Sequence, residues 1–344
     1  MAHLSCPNIS IRGIATCVPE KVDRITDHAD AFKNTSIKRI IELSGVKERH
    51  LTNEHTCSSD LCEASAKSLL AKLRWPLNSI DLLIFATQTP DFISPATACA
   101  VQSRLGLSDT CAAFDINQGC SGYPYGLSVA ASMMGTGSIK RALVLVGETP
   151  SKVCYEKDRS TSLIFGDAGS ATALEYEQGA EGMQFILQTD GSGVEDFYVD
   201  SGGCRKRFSK NERDYYITMN GPGIFSFTMK RVPALVNDTL ALANKDLDSI
   251  DYYIFHQANL YIMEHLRKRI GIPKGKTPVI IERFGNTGGT SVPLTITNGK
   301  LEWASGRDLD LCLLGYGVGL SWGSVHMKLA QEAILLHSEA AVDK

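Results

Sequence analysis

Two stretches of the sequence are repeated later in the chain at a nearly constant spacing. Residues 79–85 read SIDLLIF and residues 249–255 read SIDYYIF, so that Asp251 follows Asp81 by 170 positions. A second pair, ALVLVG at residues 142–147 and LDLCLLG at residues 309–315, ends in glycines 168 positions apart. Short apolar strands preceded by aspartate also resemble one another by chance. Two matches at nearly the same offset nevertheless predict a chain made of two duplicated halves.

Each half alternates helical patterns with short apolar runs. Residues 58–73, for example, repeat apolar side chains at helical spacing, and the run at residues 82–85 is typical of a buried strand. This alternation predicts an α/β fold in which helices cover mainly buried sheets. We place the boundary near residues 177–181, which gives an N-terminal half of residues 1–178 and a C-terminal half of residues 179–344.

The composition excludes several classes of protein. Of the 344 residues, 43% are hydrophobic and 21% are charged, and the formal net charge of -3 gives no general attraction to nucleic acid or to an anionic membrane. The first ten residues lack a signal-peptide pattern, and no apolar run reaches the roughly 18 residues of a spanning helix. The ten cysteines include no Cys-x-x-Cys pair. We therefore expect a cytoplasmic protein with no metal site, no disulfide framework and no nucleic-acid or membrane partner.

Cys120 is the strongest candidate for a nucleophile. It follows the apolar run at residues 111–114, interpreted as a buried strand, and precedes a helical pattern that includes Leu127 and Met134. Gly119 and Gly122 permit a sharp turn, and the N–H groups at the start of a helix favour negative charge on sulfur. We therefore expect a readily formed thiolate. A small buried cysteine without a chemical role is the alternative interpretation.

Three later segments offer partners for a nucleophilic cysteine. His256 follows the second repeated strand, at the edge where open α/β sheets commonly bind ligands, although it is equally a candidate for a core histidine. Asn286 lies on a glycine-rich turn before a helix and could be a turn residue only. The glycine loop at residues 315–323 is either a hairpin or a holder for an oxyanion.

Taken together, the motifs resemble a known family, the thiolase-fold condensing enzymes, and specifically β-ketoacyl-acyl-carrier-protein synthase III. They occur in the family's order over about residues 9–328. The matching segments are GCSG at 119–122, FGD at 165–167, MNG at 219–221, HQAN at 256–259, GNT at 285–287 and GVGLSWG at 317–323. The resemblance implies a duplicated five-layer α-β-α-β-α fold, a homodimer, and a catalytic triad of Cys120, His256 and Asn286.

The resemblance also implies a mechanism and its partners. An acyl thioester would acylate Cys120, with the N–H groups of Cys120 and Val318 as the oxyanion hole. A malonyl-type thioester would then lose carbon dioxide, His256 and Asn286 would stabilise the enolate, and its carbon would attack the acyl group. No metal or redox cofactor is implied. The partners would be acyl carrier protein, acyl-coenzyme A or both, held through phosphopantetheine.

Positive charge near the His256 helix predicts a docking surface for an acidic carrier. Its residues are Arg267, Lys268 and Arg269, supplemented by Lys274 and Lys276, and residues 205–207 form a second candidate surface. A solvated helix C-terminus, which favours cations, is the alternative interpretation.

The sequence also departs from the family in four places. Ser94 stands where short-chain members often carry a bulky residue that closes the acyl pocket, so we expect an acyl pocket open to starters longer than acetyl. The stretch KRIIEL at residues 38–43 lacks the tryptophan and arginine that grip coenzyme A, and Tyr261 replaces a common arginine. The segment after Lys328, with Leu329, Ile334 and Leu335, is predicted to be a helix that packs on a partner.

The sequence leaves other functions open beside a decarboxylating ketosynthase of fatty-acid or secondary metabolism. A relative with the same triad would form an ester, an amide or a carbon–carbon bond without malonate. A cysteine hydrolase would transfer the acyl group to water. A degradative thiolase is disfavoured, because the glycine loop at residues 315–319 holds no second cysteine. A non-catalytic partner subunit would be expected to lose a member of the triad.

Overall fold

The structure is a computed structural model that describes residues 2–29, 37–303 and 306–341. Its strands are β1 (Ala2–Cys6), β2 (Ile9–Pro19), β3 (Val22–Arg24), β4 (Glu48–His50), β5 (Leu82–Ala86), β6 (Ala112–Ile116), β7 (Arg141–Glu148), β8 (Ala168–Tyr176), β9 (Met183–Thr189), β10 (Phe197–Val199), β11 (Ile217–Met219), β12 (Tyr252–Phe255), β13 (Leu309–Gly317), β14 (Ser321–Leu329) and β15 (Ile334–Ala340). Its α-helices are α1 (Ile37–Ser44), α2 (Ser58–Leu73), α3 (Thr97–Arg104), α4 (Gly122–Met134), α5 (Gly221–Ala243), α6 (Leu260–Ile270), α7 (Ile281–Phe284) and α8 (Ser291–Asn298).

Two large sheets have the same internal arrangement. One has the order β15-β2-β8-β7-β5-β6, and the other has the order β1-β9-β14-β13-β12. The series β2-β8-β7-β5 and β9-β14-β13-β12 match step by step, because each contains two antiparallel pairs followed by a parallel pair. The repeated sequences form the parallel pairs, with Phe85 opposite Leu145 and Phe255 opposite Leu314. The duplication predicted from the sequence is therefore present in the backbone.

Helices divide the molecule into five layers. Helices α4 and α8 lie between the two sheets and share one apolar core with both of them. Helices α2 and α3 cover the outer face of the six-stranded sheet, and α5 and α6 cover the outer face of the other. Residues of α4 on both sides of the helix, such as Ser128 and Ala130, are buried, as expected for a helix enclosed between two sheets. The predicted α-β-α-β-α order is confirmed.

The strands near the two ends of the chain cross between the sheets. Strand β1 pairs with β9, in the sheet formed mainly by the second half of the chain, and β15 pairs with β2, in the sheet formed mainly by the first half. The expected boundary at residues 177–181 falls between β8 and β9, the last strand of one repeat and the first of the next.

The prediction of a helix after Lys328 is wrong. Residues 334–340 form β15, which adds to the free edge of β2 in parallel register. Ile334 and Leu336 pack in the core beside α2, while Leu335 packs against the core between the sheets. This alternation has the period of a strand, and the unpaired backbone of β2 supplies the hydrogen bonds that favour it.

The apolar run that precedes Cys120 is less buried than the sequence indicated. Its residues from Ala112 onward form β6, which among the described strands pairs with β5 only, at the edge of its sheet, and these residues are half-buried or exposed, whereas Cys111 is buried. Edge position explains the exposure, since only one side of the strand has a neighbour.

In the described residues, none of the helices combines the length and the apolar character required to cross a bilayer.

Candidate active site

Cys120 lies on the turn between β6 and α4, two residues before the helix begins at Gly122. The loop after β13 presses against this turn, and a Cβ added to Gly317 would lie 2.9 Å from the sulfur of Cys120. Only glycine permits so close an approach. The Oγ atoms of Ser121 and Ser321 are 2.7 Å apart and fasten the turn to the loop.

Two backbone N–H groups point toward the sulfur of Cys120. They belong to Val318 and to Cys120 itself, the pair expected to form an oxyanion hole, and both favour negative charge on the sulfur. Burial has the largest effect and, together with a smaller contribution from the nearby carboxylate of Glu148, raises the pKa of the Cys120 thiol to about 12. The expectation of a readily formed thiolate is therefore wrong, because two N–H groups and a helix start do not offset the removal of water.

His256 follows β12 and is almost fully enclosed, with 1% of its surface exposed. Its Nδ1 lies 2.8 Å from Oγ of Ser291, and the same Oγ accepts the N–H of Gln257 at 3.1 Å. Tyr316 donates its hydroxyl proton to the carbonyl of His256 at 3.1 Å and sets its ring edge-on to the imidazole. Burial lowers the pKa of His256 to about 4, although the backbone of Gly288 partly offsets the shift. The imidazole is therefore neutral at pH 7.

Asn286 is held by backbone contacts that reach into the first half of the chain. Its N–H donates to the carbonyl of Ile164 at 2.9 Å, and its carbonyl accepts the N–H of Gly166 at 3.1 Å. The side-chain Oδ1 accepts the N–H of Gly288 at 3.0 Å, and Nδ2 reaches the carbonyl of Ala258 at 3.4 Å. Because Oδ1 accepts from Gly288 and one N–H of Nδ2 donates to Ala258, the amide is oriented with its second N–H available to a ligand.

Cys120 lies at the junction of two cavities. A cavity of about 80 Å³ is lined by Cys120, His256 and Asn286 together, so the structure brings the three predicted residues to one place. A larger cavity of about 370 Å³ opens on the other side of Cys120 and is largely apolar. Phe165, Phe197 and Val318 line both cavities and form the wall between them. The first cavity can hold a reacting group beside the three side chains, and the second has room for an acyl chain.

Ser94 lies away from both cavities. It is exposed on the loop before α3, next to Ile93, which is 92% exposed, and it lines neither cavity of its own chain. The predicted effect of Ser94 on acyl length therefore has no support from contacts within one chain.

The predicted docking residues on α6 differ in their availability. Arg267 is mainly internal, because its guanidinium pairs with Glu264 at 2.9 Å and donates to the carbonyl of Ile272 at 3.0 Å. Lys268 and Arg269 are exposed. Arg267 thus fits the interpretation as a cation that closes a helix C-terminus, and the other two remain available to a carrier.

The supplementary cations also differ in whether their charge is available to a carrier. Lys276 donates to the carbonyls of residues 248 and 250 at 2.6 Å, while Lys274 is exposed. In the second candidate surface, Lys206 forms ion pairs with Asp200 and with Asp214 and is not available to a carrier.

Sequence reasoning missed three residues of the site. Ser291 and Tyr316 contact His256, and Glu148 lines the larger cavity beside Cys120. The sequence repeat marked the positions of Glu148 and Tyr316, since each directly follows one of the two matching glycines, Gly147 and Gly315.

Across residues 2–29, 37–303 and 306–341, no group of three or more His, Cys, Asp or Glu side chains could hold a metal ion.

Family models match both halves of the chain. The model described as 3-oxoacyl-[acyl-carrier-protein (ACP)] synthase III matches residues 114–191, and the model of its C-terminal part matches residues 240–329.

Individual proteins match nearly the whole chain. The β-ketoacyl-[acyl-carrier-protein] synthase III of Desulfitobacterium hafniense is 33% identical over 95% of this chain and 99% of its own. That of Staphylococcus saprophyticus is 34% identical over 93% and 99%. The solved structure of a 3-oxoacyl-(acyl-carrier protein) synthase from Burkholderia xenovorans is 39% identical, covers 98% of this chain and 99% of its own, and superposes with a TM-score of 0.94.

The five layers, the duplicated sheets and the shared cavity of cysteine, histidine and asparagine define a condensing enzyme of the thiolase fold. Within that class, the chain belongs to the 3-oxoacyl-[acyl-carrier-protein] synthase III family.

The raised pKa of Cys120 predicts how the free enzyme reacts with iodoacetamide. Below its pKa, the thiolate fraction of a cysteine rises about tenfold per pH unit, so alkylation of Cys120 is expected to accelerate at that rate from pH 7 to 9. Peptide mass spectrometry measures the modification, and the exposed Cys204 in the same sample controls for the reagent. A rate that levels off below pH 8 would contradict the assigned protonation.

Proposed function

We propose that this enzyme joins an acyl thioester to a malonyl-type thioester by decarboxylative Claisen condensation and releases a β-ketoacyl product. The observation that carries this proposal is the cavity shared by Cys120, His256 and Asn286. The family of the chain supports it, since the relatives described above are named as synthases of 3-oxoacyl or β-ketoacyl carrier proteins.

In the first step, the sulfur of Cys120 attacks the thioester carbonyl. The thiol is neutral at pH 7 and needs a base, and the neutral imidazole of His256 in the same cavity accepts its proton. The N–H groups of Cys120 and Val318 stabilise the oxyanion. The carrier thiolate then leaves, takes the proton back from the imidazolium, and the acyl chain remains on Cys120 in the larger cavity.

In the second step, a malonyl thioester enters the small cavity and loses carbon dioxide. The electron pair of the broken bond forms an enolate, whose oxygen accepts N–H groups from Nε2 of His256 and Nδ2 of Asn286. Oδ1 of Asn286 is already bonded to Gly288 and one N–H of Nδ2 to Ala258, so its amide presents the second N–H without rotating. The enolate carbon then attacks the acyl carbonyl, and the sulfur of Cys120 leaves as a thiolate that takes up a proton from water, which restores the neutral thiol. These steps use side chains and backbone only and require no metal or redox cofactor.

Ser291 makes both uses of His256 compatible. Nδ1 must carry the proton when Nε2 acts as a base, and Nδ1 must be bare when Nε2 donates to the enolate. Between the two steps the ring therefore loses its Nδ1 proton and gains one at Nε2 by exchange with water. A hydroxyl both donates and accepts, so Oγ of Ser291 at 2.8 Å satisfies Nδ1 in either state. Ser291 is thus a positioning residue for His256.

The partners follow from the same proposal. The donor is an acyl carrier protein or acyl-coenzyme A, the enzyme acts as a homodimer in the cytoplasm, and the exposed Lys268 and Arg269 contact the acidic carrier. In this proposal, Cys120 is the nucleophile, His256 and Asn286 stabilise the enolate, and the N–H groups of Cys120 and Val318 form the oxyanion hole.

Intact-mass spectrometry tests the reaction. The enzyme and Cys120→Ala are mixed with a panel of acyl-coenzyme A and acyl-carrier thioesters, and malonyl carrier is then added. We expect an acyl adduct on the wild type only and its discharge as a β-ketoacyl carrier. Discharge only by alcohols, amines or a β-keto thioester would select a different acyl transfer, and rapid discharge by water would select a hydrolase. Absence of any adduct that depends on Cys120 would overturn the proposal.

Replacing Ser291 tests the positioning of His256. Ser291→Ala is expected to lower kcat for condensation by about tenfold or more, with a smaller change in KM, because Nδ1 loses the partner that adapts to both protonation states. Steady-state kinetics measures both constants. Ser128→Ala is the matched control, because it removes a buried hydroxyl that donates to the carbonyl of Tyr125 at 2.8 Å, within its own helix and away from His256. Equal losses of kcat in the two variants would argue against a specific role for Ser291.

Charge reversal tests carrier docking. Lys268→Glu is expected to raise KM several-fold for carrier-bound malonate, because it places a negative charge against an acidic partner. The matched control is Lys72→Glu, another exposed lysine in the last turn of a helix, on the opposite outer layer. An equal KM for wild type and Lys268→Glu, measured at low salt, would remove α6 as the docking surface.

A further inference from the structure

Arg49 is a buried cation that the mechanism above does not use. It lies on β4, is 5% exposed, and faces Asp23 across the pairing of β4 with β3. Its Nε donates to Oδ2 of Asp23 at 2.8 Å, and Nε2 of His28 lies 2.9 Å from Oδ1 of the same carboxylate. Removing a charge from water is costly, and one carboxylate uses only part of the five N–H groups of a guanidinium. The contacts of the remaining N–H groups therefore indicate what this buried charge holds.

The guanidinium of Arg49 holds a segment that lies outside the sheets. Its Nη1 donates to the carbonyl of Phe165 at 3.1 Å and also to the carbonyl of Ser162. These residues follow a series of turns and come before β8. Among the described residues, residue 165 has one strand-like pairing, which is a bridge to Asn286. Arg49 thus fixes residues 162–165 at both ends.

The same segment holds the backbone of Asn286. The carbonyl of Ile164 accepts the N–H of Asn286 at 2.9 Å, and the N–H of Gly166 donates to the carbonyl of Asn286 at 3.1 Å. Arg49 uses the carbonyls of residues 162 and 165, so it does not compete with Asn286 for the same groups. One short stretch of backbone therefore links the buried cation to the asparagine of the active site.

The turn that carries Asn286 depends on this outside support. Gly285 and Gly288 flank it with φ values of +66° and +58°, which glycine adopts without strain but which give the turn little stiffness of its own. The side-chain contacts of Asn286 orient its amide, but Gly288 belongs to the same turn and the contact with Ala258 is long, at 3.4 Å. The pairing with residues 164–166 therefore sets where the amide lies.

The stem of Arg49 also packs on this pairing. A Cβ added to Gly166 or to Gly285 would lie 3.2 or 3.3 Å from the Cβ of Arg49. The carbonyl of His50, the next residue, accepts the N–H of Asp167 at 2.9 Å. Strand β4 thus lies directly against the place where the segment before β8 meets the turn of Asn286.

We propose that Arg49 is a positioning residue for the decarboxylation half of the reaction. Its guanidinium fixes residues 162–166, which set the place of the Asn286 amide beside the enolate oxygen. Acylation of Cys120 uses other groups, the imidazole of His256 and the oxyanion hole, and depends on Arg49 much less. This inference rests on the proposed function, because it assigns Asn286 to the enolate.

Separate rates for the two half-reactions test this role. Acylation of Cys120 by an acetyl thioester is followed by intact mass, and decarboxylation is followed as carbon dioxide released from malonyl carrier by the acetylated enzyme. An acetyl group needs little of the larger cavity, which Phe165 also lines. In Arg49→Met we expect decarboxylation to slow by about tenfold or more and acylation by less than about threefold, because a displaced donor stabilises developing charge poorly.

Arg141→Met is the matched control. Arg141 is a half-buried arginine that pairs with Glu175 at 2.9 Å, and it begins β7, whereas Glu148 at the other end of that strand lines the larger cavity. Both rates are expected to stay at the wild-type values in this variant. Thermal melting of each variant checks that it is folded.

Two further variants assign the effect to the path through Asn286. Arg49→Lys keeps a positive charge for Asp23, but its single nitrogen cannot reach that carboxylate and the carbonyl of Phe165 together, so the same selective loss is expected. In an Asn286→Ala background, Arg49→Met is expected to slow decarboxylation little further, because residues that act through one contact are not additive.

The outcomes separate the two proposals. Equal slowing of both half-reactions in Arg49→Met, a loss that adds in full to that of Asn286→Ala, or wild-type decarboxylation by Arg49→Lys would overturn the role of Arg49. If Arg49→Met does not fold, Arg49→Lys decides. If the wild type is not acylated at Cys120, or releases no carbon dioxide from malonyl carrier, the proposed function itself is wrong.

Discussion

Exclusion of water from the contact between the two halves determines the chemistry of the site. Cys120 belongs to the first repeat and His256 to the second, and both are enclosed where a loop of each repeat meets the other. Burial keeps the thiol and the imidazole neutral, so the resting site holds no ion pair. In the proposed reaction, charge develops next to backbone N–H groups that are already in place and need no reorganisation.

The same enclosure explains why so many contacts of the site are made by backbone. Asn286 is fixed through the main chain of residues 164 and 166, and the loop at Gly317 approaches Cys120 within contact distance. Backbone groups are positioned by the sheets and do not lose rotamer freedom when a ligand binds. The site therefore combines few side chains with a rigid frame, which suits a reaction whose geometry must be retained through two different substrates.

Much of this could be predicted from the sequence, because the relevant signals are local or repeated. The repeated strands indicated the duplication, and the glycine turns around Cys120 and Asn286 indicated the segments that meet. The pKa of Cys120 could not be predicted, since it depends on burial by the opposite half. The strand at residues 334–340 was mistaken for a helix because the edge of β2 that it joins is more than 300 residues away in sequence.

The crossing of β1 and β15 also affects how the chain can fold. Each sheet contains a strand from the far end of the sequence, so neither half has all of its strands until the other half is present. Pairings over such separations are slow to form, since a long loop must close before any contact stabilises it. A chain emerging from the ribosome therefore holds an open β2 edge until residues 334–340 have been synthesised. The two repeats, which share one four-strand arrangement, are bound together as one folding unit by their exchanged ends.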